Sequence, residues 1–315
     1  MARRTRRKSL LSGKQKAVLT VIVVVLLIAA ALVMHFMGVL DDLILMLTGD
    51  EKPREPISVE GEMEIHVIDC GQADCILLLS EQEVMLVDTG DDNDYTDTII
   101  NYLKDFNISK IDYLILTHAD SDHIGGAPEI INEFEIGKCI MPDFVKTTEI
   151  YKNTLNALSQ NNVDCELPEP GSSFTVGEAS CKILAPLDTY KHCNDTSVVI
   201  RVDFGKRSVL LTGDAEKESE ADIVSEYSAS ELKVDVLKSG HHGSRTSSSE
   251  ALLDKCDPEY AVISCGEGND YGHPHGETID RYESYGIKYY RTDIHGTIII
   301  ETDGESLTFK TERAA

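Results

Sequence analysis

Apolar and polar positions alternate in three different rhythms along the chain. Residues 17–40 (AVLTVIVVVLLIAAALVMHFMGVL) form one unbroken apolar run, interrupted by polar groups only at Thr20 and His35. From residue 63 the apolar positions shorten into β-rich runs at 63–69, 75–80 and 84–88, each closed by turn residues. Helical spacing then appears over 95–106, where Ile99, Ile100 and Leu103 share a face. A compact strand at 113–117 leads to helical patterns over 128–134 and 149–158. Runs at 197–204 and 207–212 flank Gly205-Lys206 and predict a hairpin. Helices over 215–227, 248–255 and 277–285 alternate with strands at 234–237 and 260–264, and three short strands finish the chain. Strands alternating with helices, with hairpins at the edge of each half, predict an α/β sandwich of two mixed sheets covered by helices.

The first rhythm calls for a different environment. Roughly 20 apolar residues span a bilayer core as a helix, so 17–40 predicts a transmembrane anchor. Seven basic residues (Arg3, Arg4, Arg6, Arg7, Lys8, Lys14 and Lys16) and no acidic ones lie within the first 40. Positive charge stays on the cytoplasmic side, so 1–16 reads as a basic cytoplasmic tail and the rest faces outward. The competing reading is a cleaved signal peptide, whose apolar core runs about 7–15 residues; this run is longer. Residues 41–61, with Pro53, Pro56 and scattered charge, read as a linker, and 62–315 as one folded domain.

Charge narrows the partners. The chain has 29 Lys+Arg against 55 Asp+Glu, a net charge of −26. Setting aside the basic N-terminal residues leaves −33 on the remainder. A protein that coats nucleic acid by a broad positive field is excluded. With 42% hydrophobic residues the chain buries a real core, which excludes disorder. The eight cysteines include no Cys-x-x-Cys pair, so they read as small buried thiols, although Cys70 and Cys75 flank a turn and could face each other.

Chemistry concentrates at the end of the strand over 113–117. His118, Asp120, Asp122 and His123 follow within six residues and run into Gly125-Gly126. In an extended loop, side chains two apart share a face, so His118, Asp120 and Asp122 converge while His123 turns to a second point. One loop can then serve two neighbouring metal ions. Asp214, after an apolar strand and Gly213, stands where a carboxylate can sit at the end of a sheet.

His118-Ala119-Asp120-Ser121-Asp122-His123 resembles the metallo-β-lactamase signature His-x-His-x-Asp-His, with Asp120 in place of the second histidine. Further motifs resemble one branch, the hydrolase domain of the ComEC competence proteins. They are Ile68 to Asp74 (its VGQGD, with Cys70 and Ala73 as departures), Leu86 to Gly90 (its LIDTG), Asn194 to Ser197, Leu210 to Asp214 (its LLTGD), Leu237 to Ser244 (its HHGS) and Gly272 to His275 (its GHPH). In this order they cover about residues 63 to 311.

The resemblance implies a metallo-β-lactamase αββα sandwich holding two divalent metal ions. It implies Asp214 as the bridging ligand, His118 and Asp120 at one ion, and Asp122, His123 and either His241 or His242 at the other, with His241 preferred. Asn194, with His192 nearby, stands where many relatives carry a further histidine, which weakens the first site. Asp88 orients a ligand imidazole or the motif loop, or caps a turn before Gly90. The oxygen-rich set suits Mn²⁺ as well as Zn²⁺. Asp122, His273 and His275 are the candidate catalytic residues; the two histidines donate a proton to a leaving oxygen, hold substrate oxygens, or pack within a proline turn. Lys238 and Arg245 bind phosphate or are solvated charges, and Ser244 is a candidate at the substrate.

Three functions remain. The first is an outward-facing, membrane-anchored phosphodiesterase or nuclease acting on DNA, with a separate DNA-channel protein as partner. The second is a hydrolase of an envelope or small-molecule ester, such as a choline-phosphate ester, which an acidic surface tolerates better. The third is a non-catalytic binding member of the fold.

Overall fold

The computed structural model describes residues 20–22, 59–91 and 95–314. The chain divides into two compact units, Met1–Glu55 and Pro56–Ala315. In the first, Thr20 to Ile22 are helical; the remainder of the expected tail (1–16) and anchor (17–40), and residues 41–58 of the expected linker, lie outside the described residues. No helix among the described residues is long and apolar enough to cross a membrane.

The second unit holds two mixed sheets. The first contains β1 (Val59–Val67), β2 (Ile76–Glu81), β3 (Glu83–Val87), β4 (Lys110–Ile115), β5 (Glu135–Ile140), β6 (Cys165–Glu166), β14 (Ile298–Thr302) and β15 (Leu307–Thr311), in the order β15-β14-β1-β2-β3-β4-β5-β6. The second contains β7 (Ser173–Val176), β8 (Ala179–Ala185), β9 (Val199–Phe204), β10 (Arg207–Leu211), β11 (Val236–Lys238), β12 (Tyr260–Ile263) and β13 (Lys288–Arg291), in the order β13-β12-β11-β10-β9-β8-β7. β1 starts at Val59, inside the segment expected as a linker.

Each sheet is antiparallel at one end and parallel at the other. Pairing is parallel from β3 to β6 and from β10 to β13. Parallel neighbours need crossovers, and helices supply them. The first sheet uses α1 (Tyr95–Asp105), α2 (Ser121–Ile124), α3 (Ala127–Glu133) and α4 (Glu149–Gln160). The second uses α5 (Lys217–Glu226), α6 (Ala229–Leu232), α7 (Glu250–Cys256) and α8 (Gly276–Tyr285), with the short α9 (Thr292–His295) beyond β13. The expected hairpin is β9–β10, with Phe204 paired to Arg207.

Three apolar layers hold the sandwich. Ile76 and Leu78 point between the sheets, where Ile115 meets Ile200, Val209 and Val236. Leu77 and Leu79 point the other way, onto Ile99 and Leu103 of α1 and Ile130 and Ile131 of α3. β2 is buried on both faces, so its sequence reads as a continuous apolar run. A third layer packs Leu210, Leu237 and Ile263 against Ile223, Leu253 and Tyr282 of α5, α7 and α8. The sequence pattern did not predict β5, β6, β7 or β8. β5 reads Glu-Ile-Gly-Lys-Cys-Ile, and its first four residues are exposed or half-buried, so little apolar signal marks it. None of the eight cysteines, all among the described residues, is in a disulfide. Cys70 Sγ donates to the Ala73 carbonyl, while Cys139 and Cys165 stand with their sulfurs 3.4 Å apart.

Candidate metal centre

The carboxyl ends of parallel strands are where α/β folds place ligands. Here two such ends face each other. Asp88 follows β3 and the His118–His123 segment follows β4. From the second sheet, Asp214 follows β10, His241 and His242 follow β11, and His273 lies beyond β12.

The β4 loop is stitched in place by backbone bonds. Asp74 N donates to Asp122 O (3.1 Å), Thr89 N to His123 O (2.7 Å) and Gly125 N to Gly90 O (2.9 Å). Gly126 is needed for close approach: a Cβ there would lie 2.5 Å from the Thr89 carbonyl oxygen. Neither glycine of the pair has a positive φ; the pair is helical backbone pressed against a neighbouring loop. The extended-loop expectation changes. Asp120 is extended, but Ser121–Ile124 is a helical turn, and it is this turn that brings Asp122 and His123 inward.

Donor atoms of Asp122, His123, Asp214 and His242 all lie within 4.8 Å of one another. His123 Nε2 is 3.3 Å from Asp214 Oδ1 and 3.9 Å from Asp122 Oδ2. His242 Nε2 is 3.3 Å from Asp122 Oδ2 and 3.6 Å from Asp214 Oδ2. His241 Nε2 lies 3.7 Å from the same Asp214 oxygen. Both histidines therefore flank Asp214, and His242, rather than the preferred His241, joins the four-residue group. His118 Nε2 lies 3.7 Å from Asp120 Oδ2.

Supporting groups aim the imidazoles. Asp88 Oδ2 accepts from His123 Nδ1 (2.7 Å) and from Thr117 Oγ1 (2.7 Å), while Asp88 Oδ1 accepts from Thr117 N (2.8 Å). This leaves His123 Nε2 facing Asp214. His242 Nδ1 donates to Ser264 O (3.0 Å), which leaves its Nε2 facing Asp122. His241 Nδ1 bonds Glu216 Oε1 (2.9 Å), which also accepts from Thr246 Oγ1. The amide of Asn194 lies 3.4 Å from His241 Nδ1, and His192 is exposed. Ser244 bonds Thr246.

Several expected roles change. Lys238 is 1% exposed, ion-paired with Asp74 Oδ2 at 2.7 Å and donating to Ser239 O. It is locked behind the site, so it is not a phosphate ligand. Arg245 is exposed and pairs with Glu277. His273 accepts from Gln72 Nε2 at Nδ1 (3.2 Å), and its ring lies 5.3 Å from that of His241. Burial and the neighbouring histidines push its pKa down to about 4, so it is neutral near pH 7 and offers an Nε2–H donor rather than a strong acid. His275 Nδ1 accepts from Arg245 N, and burial lowers its pKa.

Sequence reasoning assigned no role to Asp74, Glu216, Gln72 or Lys146. Asp74 and Gln72 belong to a motif already noticed, and Glu216 stands two residues after Asp214. Lys146, whose Nζ pairs with Asp120 Oδ1, sits in an unpatterned segment and gives no sequence signal.

The donor set fits divalent cations. Buried His118 Nε2, His123 Nε2 and Asp214 Oδ1 have no hydrogen-bond partner, a costly state unless another group satisfies them. Among the described residues, Asp74, Asp88, Asp120, Asp122 and Asp214 face only two ammonium groups, on Lys146 and Lys238. Burial opposes charge on His123 and His242. Asp214 and Asp88 outweigh it at His123, whose pKa lies well above its ordinary value, and Asp214 and Asp74 raise His242 to about 10. Protons thus take up negative charge that cations would otherwise balance.

Residues 68–148 and 185–267 match the family model of the metallo-beta-lactamase superfamily, and the chain belongs to that superfamily. It has the fold and a possible metal-binding cluster of a metal-dependent hydrolase. The chain is similar to ComE operon protein 3 of Bacillus subtilis (strain 168), at 31% identity over 77% of this chain and 33% of that protein. It is also similar to Competence protein ComA of Neisseria gonorrhoeae, at 30% identity over 83% of this chain and 36% of that protein. The chain thus spans about a third of the length of these curated relatives. Among solved structures, the metallo-beta-lactamase fold protein YhfI from Bacillus subtilis shares the fold, with TM-score 0.53 and 16% identity over 76% of this chain and 99% of that one.

Proposed function

We propose that this chain is a metal-dependent phosphodiesterase acting on DNA on the outer side of a membrane, anchored by residues 17–40. The observation that carries the reading is the convergence of buried, unpartnered donor atoms on Asp214, in a chain similar to competence proteins over most of its length. His118, Asp120 and Asp214 would hold one divalent ion, and Asp122, His123, His242 and Asp214 the other, with Asp214 shared. Carboxylates make up a large part of this set, which favours Mn²⁺ alongside Zn²⁺. When bound, such ions supply Lewis acidity and lower the pKa of water towards neutrality.

The chain's own groups do the rest. Asp88 keeps the Nδ1 proton of His123 occupied, so the ring presents Nε2 to the centre. Gln72 does the opposite for His273: its amide donates to Nδ1, so the ring carries its proton on Nε2 and donates it to a substrate oxygen beside the centre. A strongly acidic chain repels polyanions, and this favours the second reading, an envelope ester with a neutral or cationic leaving group such as a choline-phosphate ester. One experiment separates the two. The full chain in detergent is incubated with Mn²⁺ and either single- and double-stranded DNA or phosphocholine esters, beside Asp214→Ala. DNA cleavage lost in the variant supports the nuclease. Ester cleavage without DNA cleavage supports the second reading, and no turnover with metal bound leaves a binding role.

A further inference from the structure

The groups around Asp214 form two unequal halves. In one, Asp122, His123, Asp214 and His242 bring four donor atoms within 4.8 Å of one another. In the other, His118 Nε2 is buried and unpartnered, and the nearest oxygen of Asp120 lies 3.7 Å away. That carboxylate is already engaged, because Lys146 Nζ forms an ion pair with Asp120 Oδ1. Asp120 belongs to the loop after β4, whereas Lys146 comes from the irregular segment 141–148 between β5 and α4. The Lys146 and Asp120 side chains are 26% and 29% exposed, so solvent ions reach the pair. The ammonium also lies close enough to bond Cys193, which precedes Asn194 in the chain.

We propose that Lys146 is an internal competitor for a metal ion. Its ammonium and a divalent cation exclude one another at Asp120. The four-donor half therefore fills first, and the His118–Asp120 half fills only as Lys146 leaves Asp120. Like charges a few ångströms apart repel strongly near a protein surface, and Asp120 is the only carboxylate of that half not shared with the other. The proposal rests on the dinuclear reading of the site and deepens it by naming the residue that makes the two ions unequal. Lys146 acts here as a positioning residue, through the charge on Asp120.

The test uses the full chain, stripped with chelator and titrated calorimetrically with Mn²⁺ alone. Wild type is expected to bind one ion tightly and a second about tenfold or more weakly. Lys146→Met should tighten the second ion by about tenfold while leaving the first unchanged, and Lys146→Arg should keep the wild-type pattern. Asp120→Asn should remove the second ion and spare the first. Equal affinities in wild type, or a second ion no tighter in Lys146→Met, overturn the proposal; so does an Arg variant that behaves like Met. If no variant and no wild type binds any ion, the metal centre itself is wrong, a failure distinct from that of Lys146.

Discussion

The two walls of the centre are built by different means. On the eight-stranded sheet, the imidazole of His123 is held by a buried carboxylate, that of Asp88, which also grips Thr117 through its backbone and hydroxyl. On the seven-stranded sheet, His241 and His242 are both left-handed, with φ of 49° and 53°. That backbone costs about 1–2 kcal/mol for each non-glycine residue. On the first wall the left-handed residue is Asp88 (φ 61°), which orients the imidazole through its carboxylate; on the second the two histidines are themselves left-handed, backed by Gly243, and their rings are also held by Ser264 O and Glu216. The Asp74–Lys238 ion pair ties the walls together, since Asp74 follows β1 and Lys238 ends β11.

The comparison breaks first at the residue both walls share. Asp214→Ala should abolish metal binding and lower turnover by about 10³-fold, the scale of losing Lewis-acid help; metal content after dialysis and hydrolysis rates check it. Cutting the tie comes next. Lys238→Met leaves Asp74 buried without its partner and should cost about 3–5 kcal/mol in urea unfolding. Lys238, His242 and His123 together hold the buried Asp74 carboxyl well below its usual range. A carboxyl lowered in the folded state contributes stability above its unfolded value and loses it as pH falls. The penalty of Lys238→Met should therefore shrink in acid; a penalty that grows there would contradict the pairing.

Smaller changes sharpen the contrast between the walls. Asp88→Asn should weaken metal affinity about 10–100-fold through loss of the imidazole's orienting partner, with little change in global stability. Gly243→Ala should do the reverse. A Cβ there would lie 2.6 Å from Pro274 Cβ at φ +81°, so a stability loss of about 1–3 kcal/mol is expected, read from thermal melts. Equal effects of the two substitutions on both measurements would erase the distinction.

The smallest effect is a pH dependence at His273. Its folded pKa of about 4 lies below its ordinary value of 6.5, so the folded protein favours the neutral ring. Its contribution is fully present above pH 6.5 and is lost as pH falls towards 4. His273→Gln should flatten stability across that window, as followed by denaturant midpoints.

The sequence by itself determined the alternation of strands and helices, the β9–β10 hairpin and the cluster of acids and histidines after β4. Those features are local: apolar period, turn residues and ligand-type side chains lie within a few residues of one another. It left β5 to β8 unread: β5, β6 and β7 are largely exposed or half-buried and carry little apolar signal, and β8 interrupts its buried residues with Ser180 and Lys182. Tertiary structure alone decided which histidine of the His241-His242 pair joins Asp122, because both follow the same strand and the groups that hold their rings, Ser264 O and Glu216, lie more than 20 residues away. It turned Lys238 from a surface cation into a buried partner of Asp74, and it brought Lys146 onto Asp120. Ion pairs of that kind join segments far apart in sequence, so no local pattern encodes them; they follow from two sheets meeting at the carboxyl ends of their parallel strands.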